Sequence, residues 1–79
     1  MPTVLLLYGF RFFFYSNENN EPPHIHVRKG NGEGKIWLEP KLEFAWQTGF
    51  TKQEEATVWQ LATENQDFFK QKWYEYFGK

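Results

Sequence analysis

Glu21-Pro22-Pro23-His24-Ile25-His26-Val27-Arg28-Lys29-Gly30-Asn31-Gly32-Glu33-Gly34-Lys35-Ile36-Trp37-Leu38-Glu39 decides the fold of this chain. Two prolines restrict the backbone at its entry. Side chains along a strand then alternate between faces. Ile25 and Val27 fall on one face, and His24, His26 and Arg28 on the other. After a glycine-rich turn over residues 30–34, Ile36 and Leu38 again oppose Lys35, Trp37 and Glu39. Paired as a hairpin, the two runs place four aliphatic side chains on one face and a polar row on the other. Such a half-apolar antiparallel sheet needs a layer of helix on its apolar side.

The flanking segments extend this pattern in both directions. Residues 3–8 and 10–15 read as a first hairpin turning near Tyr8-Gly9. Residues 16–23 are a loop of turn formers ending in the two prolines. Leu42, Phe44 and Trp46 alternate with Glu43 and Ala45, as expected for a short fifth strand. At Thr51 the period changes. Thr51-Lys52-Gln53-Glu54 fits a capping box, and Val58, Leu61, Ala62 and Asn65 form a helical stripe continued by Phe69, Trp73, Tyr76 and Phe77. Gly78 is a natural helix stop. An unbroken helix over residues 52–77 would run about 39 Å, whereas a domain of this length has a radius of gyration of about 12 Å. A break near residues 65–67 is therefore expected, the alternative being one long helix. The expected fold is α+β: an antiparallel sheet of four to five strands from the N-terminal half, then two C-terminal helices, as a single domain over residues 1–79.

Composition narrows the function classes. Phe, Tyr and Trp number nine, four and four, or 22% of 79 residues, enough to build a core in a short chain. At this size, without disulfides or metal staples, stability is marginal unless the chain pairs with something. The formal charge of −1 argues against a strong electrostatic grip on nucleic acid or on an anionic membrane. The absence of cysteine excludes disulfides, thiolate chemistry and thiolate zinc sites. The longest apolar stretch, residues 4–15, is broken by Gly9 and Arg11 and is short of the ~20 residues a membrane helix needs. No basic leader precedes it, so a cytoplasmic location is expected.

Two surfaces carry the functional expectations. On the polar row, His24 and His26 stand roughly 7 Å apart at their bases. They can act as an acid and base pair with Arg28 holding a phosphate, an arrangement open to a metal-independent ribonuclease. Arg11, Lys29, Lys35 and Trp37 would then bind the nucleic acid by charge and stacking. The same imidazoles can instead bind zinc or another divalent transition metal with Glu21, Glu18 or Glu33, or play a purely structural part. All three readings remain open, and no cofactor is favoured. The first hairpin is apolar on both faces, so Leu5, Leu7, Phe13 and Tyr15 are expected to form a patch that a second copy, a partner protein or a long loop must cover, the alternative being that the C-terminal helix wraps around onto it.

Several of these stretches resemble one family of small bacterial proteins, the domain of unknown function family 4160. They are Met1-Pro2-Thr3 entering an apolar strand, Arg11-Phe12-Phe13-Phe14-Tyr15-Ser16-Asn17-Glu18, and Glu21-Pro22-Pro23-His24-Ile25-His26-Val27. Gly49-Phe50, Glu64-Asn65 and Trp73-Tyr74-Glu75-Tyr76-Phe77-Gly78 complete the likeness. The resemblance implies a toxin encoded beside a small antitoxin-like protein that neutralises it. The apolar sheet face would then be that partner's docking surface, and the His24/His26 row fits as a candidate active site. The alternative is a non-enzymatic partner-binding or metal-binding regulatory module.

Overall fold

A computed structural model of the chain describes residues 3–15 and 20–78. Five antiparallel strands, β1 (Thr3–Leu7), β2 (Phe10–Phe13), β3 (His24–Lys29), β4 (Gly32–Trp37) and β5 (Glu43–Thr48), form one sheet in sequence order. Helices α1 (Lys52–Glu64) and α2 (Gln66–Phe77) follow, giving the α+β class. The longest dimension is 34 Å, too short for one continuous helix. The break falls at Asn65, whose backbone and side-chain nitrogens both donate to the Leu61 carbonyl, at 3.0 and 2.8 Å.

Local chemistry accounts for the element ends. Tyr8 and Gly9 both have positive φ, 52° and 81°, as a two-residue hairpin turn requires. Thr51 Oγ1 accepts from the Glu54 amide and Glu54 Oε1 from the Thr51 amide, at 3.0 and 2.9 Å, completing the capping box. Gly78 is left-handed at the end of α2. Val58, Leu61 and Ala62 of α1 and Phe69 and Trp73 of α2 close over Phe10, Phe12, Phe14, Ile25, Val27, Ile36 and Leu38.

Three expectations are corrected. β2 ends at Phe13 rather than Tyr15, and β4 begins at Gly32 rather than Lys35. Only Gly30-Asn31 forms the second turn, because Lys29 pairs with Gly32 and Val27 with Gly34. Gly32 and Gly34 lie beneath the Phe50 ring, where a Cβ on Gly32 would overlap that ring. The glycines make room for packing as strand residues. In β5, Ile36 faces Phe44 but Lys35 faces Trp46, so Ala45 is a bulge. The bulge turns Trp46 onto the face opposite Phe44, leaving it 44% exposed.

The third correction concerns the first hairpin. Its two-residue turn pairs Leu7 with Phe10 and Leu5 with Phe12, and paired residues share a face. Leu5 and Leu7 therefore lie under the helices, packed against the core. The expected outer row of Leu5, Leu7, Phe13 and Tyr15 is split. Leu6 pairs with Arg11 on the outer face, and a register irregularity between Thr3 and Leu5 restores Thr3 to that face opposite Phe13.

Candidate functional site

The face of the sheet away from the helices carries the candidate residues. Pairing of Arg11 with Arg28 and Phe13 with His26, then of His24 with Trp37, His26 with Lys35 and Arg28 with Glu33, sets them in cross-strand rows. Strand alternation thus brings together His24, His26, Arg28, Lys35 and Trp37, as expected, and pairing with β2 sets Arg11 and Phe13 beside them. Lys29 is separated from them. Its ammonium lies 4.6 Å from the Phe10 ring, on the helix side, because it is one residue out of phase with Arg28.

His24 enters the strand immediately after the two prolines. Its Nδ1 lies 3.0 Å from the Pro22 carbonyl oxygen. A carbonyl can only accept, so Nδ1 carries the proton. The Pro23 carbonyl meanwhile accepts from the Leu38 amide at 2.9 Å, continuing the ladder. At this end of the sheet the Trp73 ring of α2, itself part of the core, comes to 4.8 Å from the His24 ring. Trp37 sits 5.5 Å away and His26 5.2 Å.

His26 stacks on Phe13 at 5.6 Å and meets the edge of Tyr15 at 4.6 Å. Packing on all sides leaves His24 0% and His26 4% exposed. A general acid or base must come within about 2.6–3.2 Å of the proton it transfers. In this arrangement no phosphodiester reaches either imidazole unless Tyr15, Trp73 or their neighbours move.

Phe13 is fully buried although it faces away from the helices. The Arg11 and Arg28 guanidiniums lie over its ring at 4.8 and 5.6 Å, and Tyr15 meets it edge-on at 5.3 Å. The quadrupole of an aromatic face attracts such cations, so the expected apolar patch is roofed by charge. Arg28 Nη2 donates to Glu33 at 3.2 Å, and Tyr15 Oη approaches the other Glu33 oxygen at 3.5 Å. Lys35 Nζ lies 4.5 Å from the Trp37 ring and donates to Glu21 at 2.6 Å. Tyr15 and Glu21, which flank the undescribed residues 16–19, thus both fold over this face.

Glu21, a ligand of the metal alternative, is held by Lys35. Among the described residues no three His, Cys, Asp or Glu side chains gather as a metal site. Glu18 lies outside the described residues, as do Ser16, Asn17, Met1 and Pro2 of the resembling stretches. No helix among the described residues is long and apolar enough to cross a membrane.

Sequence reasoning missed two exposed residues at the first hairpin, Leu6 and Tyr8, which are 67% and 72% accessible. The signal was present. A turn at Tyr8-Gly9 already dictates the pairing of Leu7 with Phe10, and hence an outward Leu6. Compared with known proteins, the chain matches the family model described as a domain of unknown function (DUF4160) over residues 9–74. No curated protein and no solved structure matches it.

Proposed function

The chain belongs to the DUF4160 family, and we propose that it serves as the toxin component of a cytoplasmic toxin–antitoxin-like pair, acting by binding a protein partner rather than by cleaving RNA with its histidines. One observation carries this reading: His24 and His26 are sealed by Trp73, Trp37, Phe13 and Tyr15, while Leu6 and Tyr8 stand open to solvent. Reactive groups that meet no substrate do no proton transfer, whereas exposed apolar and aromatic side chains beside arginine have the composition of binding hot spots. The family resemblance supports the paired-gene part of the reading. The near-neutral charge supports a protein target over nucleic acid.

The test is growth after inducing the chain alone in bacteria. Beside it run a His26→Gln variant, a His24→Gln/His26→Gln variant and a Leu6→Glu/Tyr8→Glu variant, each shown to be soluble and folded by circular dichroism. Growth arrest should persist in whichever histidine variants fold and be relieved in the Leu6/Tyr8 variant. Arrest with RNA cleavage that disappears in a folded His26→Gln variant would restore the catalytic reading. No arrest from the native chain would remove the toxin assignment.

A further inference from the structure

β1 is an edge strand, since among the described residues β2 is its only neighbour, and its outer main-chain groups are a template for another strand. Edges are commonly protected by lysine, proline or inward charge. The sequence of β1, Thr-Val-Leu-Leu-Leu, holds no charged residue, and among the described residues its protection is the irregularity at Val4 and its short length. Leu6 within it and Tyr8 just past its end are exposed.

Arg11 leans across this edge. Its Nε donates to Thr3 Oγ1 at 2.8 Å, which holds the guanidinium over the Phe13 ring and toward β1. A guanidinium has five N–H donors. Among the described residues only the Nε donor of Arg11 has a partner, and no carboxylate neutralises it. Arg28, directly opposite on β3, adds a like charge, an unfavourable cross-strand neighbour. Arg28 has Glu33 for compensation, and among the described residues Arg11 has only the Thr3 hydroxyl as a hydrogen-bond partner.

We propose that the β1 edge takes an extended acidic segment of a partner protein as a sixth strand, with a carboxylate of that segment held by the Nη groups of Arg11 and its neighbouring side chains packed on Leu6 and Tyr8. This rests on the protein-binding function proposed above and names the chemistry of the partner. Strands lie about 4.8 Å apart, so an added strand and β2 are separated by roughly 10 Å, a span that an arginine and a glutamate reaching toward each other cross. Main-chain pairing supplies affinity and the charge supplies register, as in other strand additions. A second copy of this chain fits less well: β1 contains no carboxylate, so a β1–β1 pair would bring none to Arg11.

The experiment titrates the ¹⁵N-labelled full chain with an acetylated, amidated octapeptide of alternating Glu and Val. The same peptide with Gln for Glu and a uridine octanucleotide are titrated in parallel. The amides of residues 4–7 and the Arg11 Nε signal should shift with the Glu peptide. Binding should weaken about five- to tenfold in a folded Arg11→Gln variant, the size of one exposed charge-assisted contact, and weaken with added salt. Equal binding of the Glu and Gln peptides, or no binding of either, overturns the proposal. Preference for the oligonucleotide at Arg11 reassigns the site to phosphodiesters, and a concentration-dependent dimer that shifts the same β1 amides reassigns the edge to self-association. Each of these failures concerns Arg11 and β1 alone. Failure of the underlying function would appear instead as loss of growth arrest in the folded His26→Gln variant.

Discussion

Replacing Phe13 by leucine tests whether the outer face is held together by a buried ring under two arginines. Phe13 is wholly inaccessible and touches Tyr15, His26, Arg11 and Arg28. Truncating a buried phenylalanine to alanine costs about 3–5 kcal/mol, and leucine retains roughly half of that burial. Leucine also forfeits two cation–π contacts of about 0.5–1 kcal/mol each. The expected loss is therefore about 2.5–4.5 kcal/mol. A domain of this size holds roughly 4–12 kcal/mol in all, so this one side chain carries a large share of the stability. The midpoint of thermal unfolding should fall by about 10–35 °C. The sharper measurement is a double-mutant cycle with Arg11→Gln, read by urea denaturation and tryptophan fluorescence. Arg11→Gln should be costlier in the native background than beside Phe13→Leu, by about 0.5–1 kcal/mol. The loss of the Thr3 hydrogen bond is common to both backgrounds and cancels. A coupling indistinguishable from zero, or a Phe13→Leu variant as stable as the native chain, would refute the account of this face.

Three further outcomes follow from the geometry. Gly49→Ala should destabilise more than Gly32→Ala in thermal melts. Gly49 combines a φ of 80° with a Cβ position overlapping the Asn31 carbonyl oxygen, whereas a Cβ on Gly32 meets the Phe50 side chain, which can turn aside at about 1–3 kcal/mol. Thr51→Ala, which removes half of the capping box, should cost about 1 kcal/mol, or a drop of about 4–8 °C in the melting temperature. Tyr74 donates its hydroxyl to Glu39, and that hydrogen bond, aided by slight burial and the Glu39 charge, raises the phenol above its ordinary value of 10.0. The protonated phenol is the form favoured by folding, so this contribution is complete below pH 10 and disappears as pH rises through the raised value. Tyr74→Phe should abolish that part of the alkaline loss of stability, and an NMR titration showing Tyr74 ionising at or below its ordinary value would refute it.

Much of the molecule was legible along the chain. The Tyr8-Gly9 turn, the capping box at Thr51, the break at Asn65 and the stop at Gly78 are local chemistry, satisfied within a few residues. The amphipathic pairing of β3 with β4 followed from the period of two, and with it the shared face of His24, His26, Arg28, Lys35 and Trp37. The separation of Lys29 from that face was implicit in the same alternation. Leu5 and Leu7 fall on the helix side, not in the outer row, because the two-residue turn fixes the register of β1 against β2.

Tertiary structure decided what no period encodes. The irregularities at Val4 and Ala45 reverse the alternation on which face assignment depends, and they form where one strand accommodates its neighbour. Gly32 and Gly34 became strand residues because Phe50, distant in sequence, occupies the space above them. Alternation placed His24 and His26 on the face away from the helices, and that much the sequence determined by itself. Their burial depends on Trp73 arriving from the end of the chain, and on Tyr15 closing from the other side. Side-chain direction is a property of the local backbone, whereas exposure depends on what the rest of the chain brings opposite. A histidine row that reads as open along the strand is therefore closed in the folded protein, and the accessible chemistry moves to Arg11, Leu6 and Tyr8 at the edge.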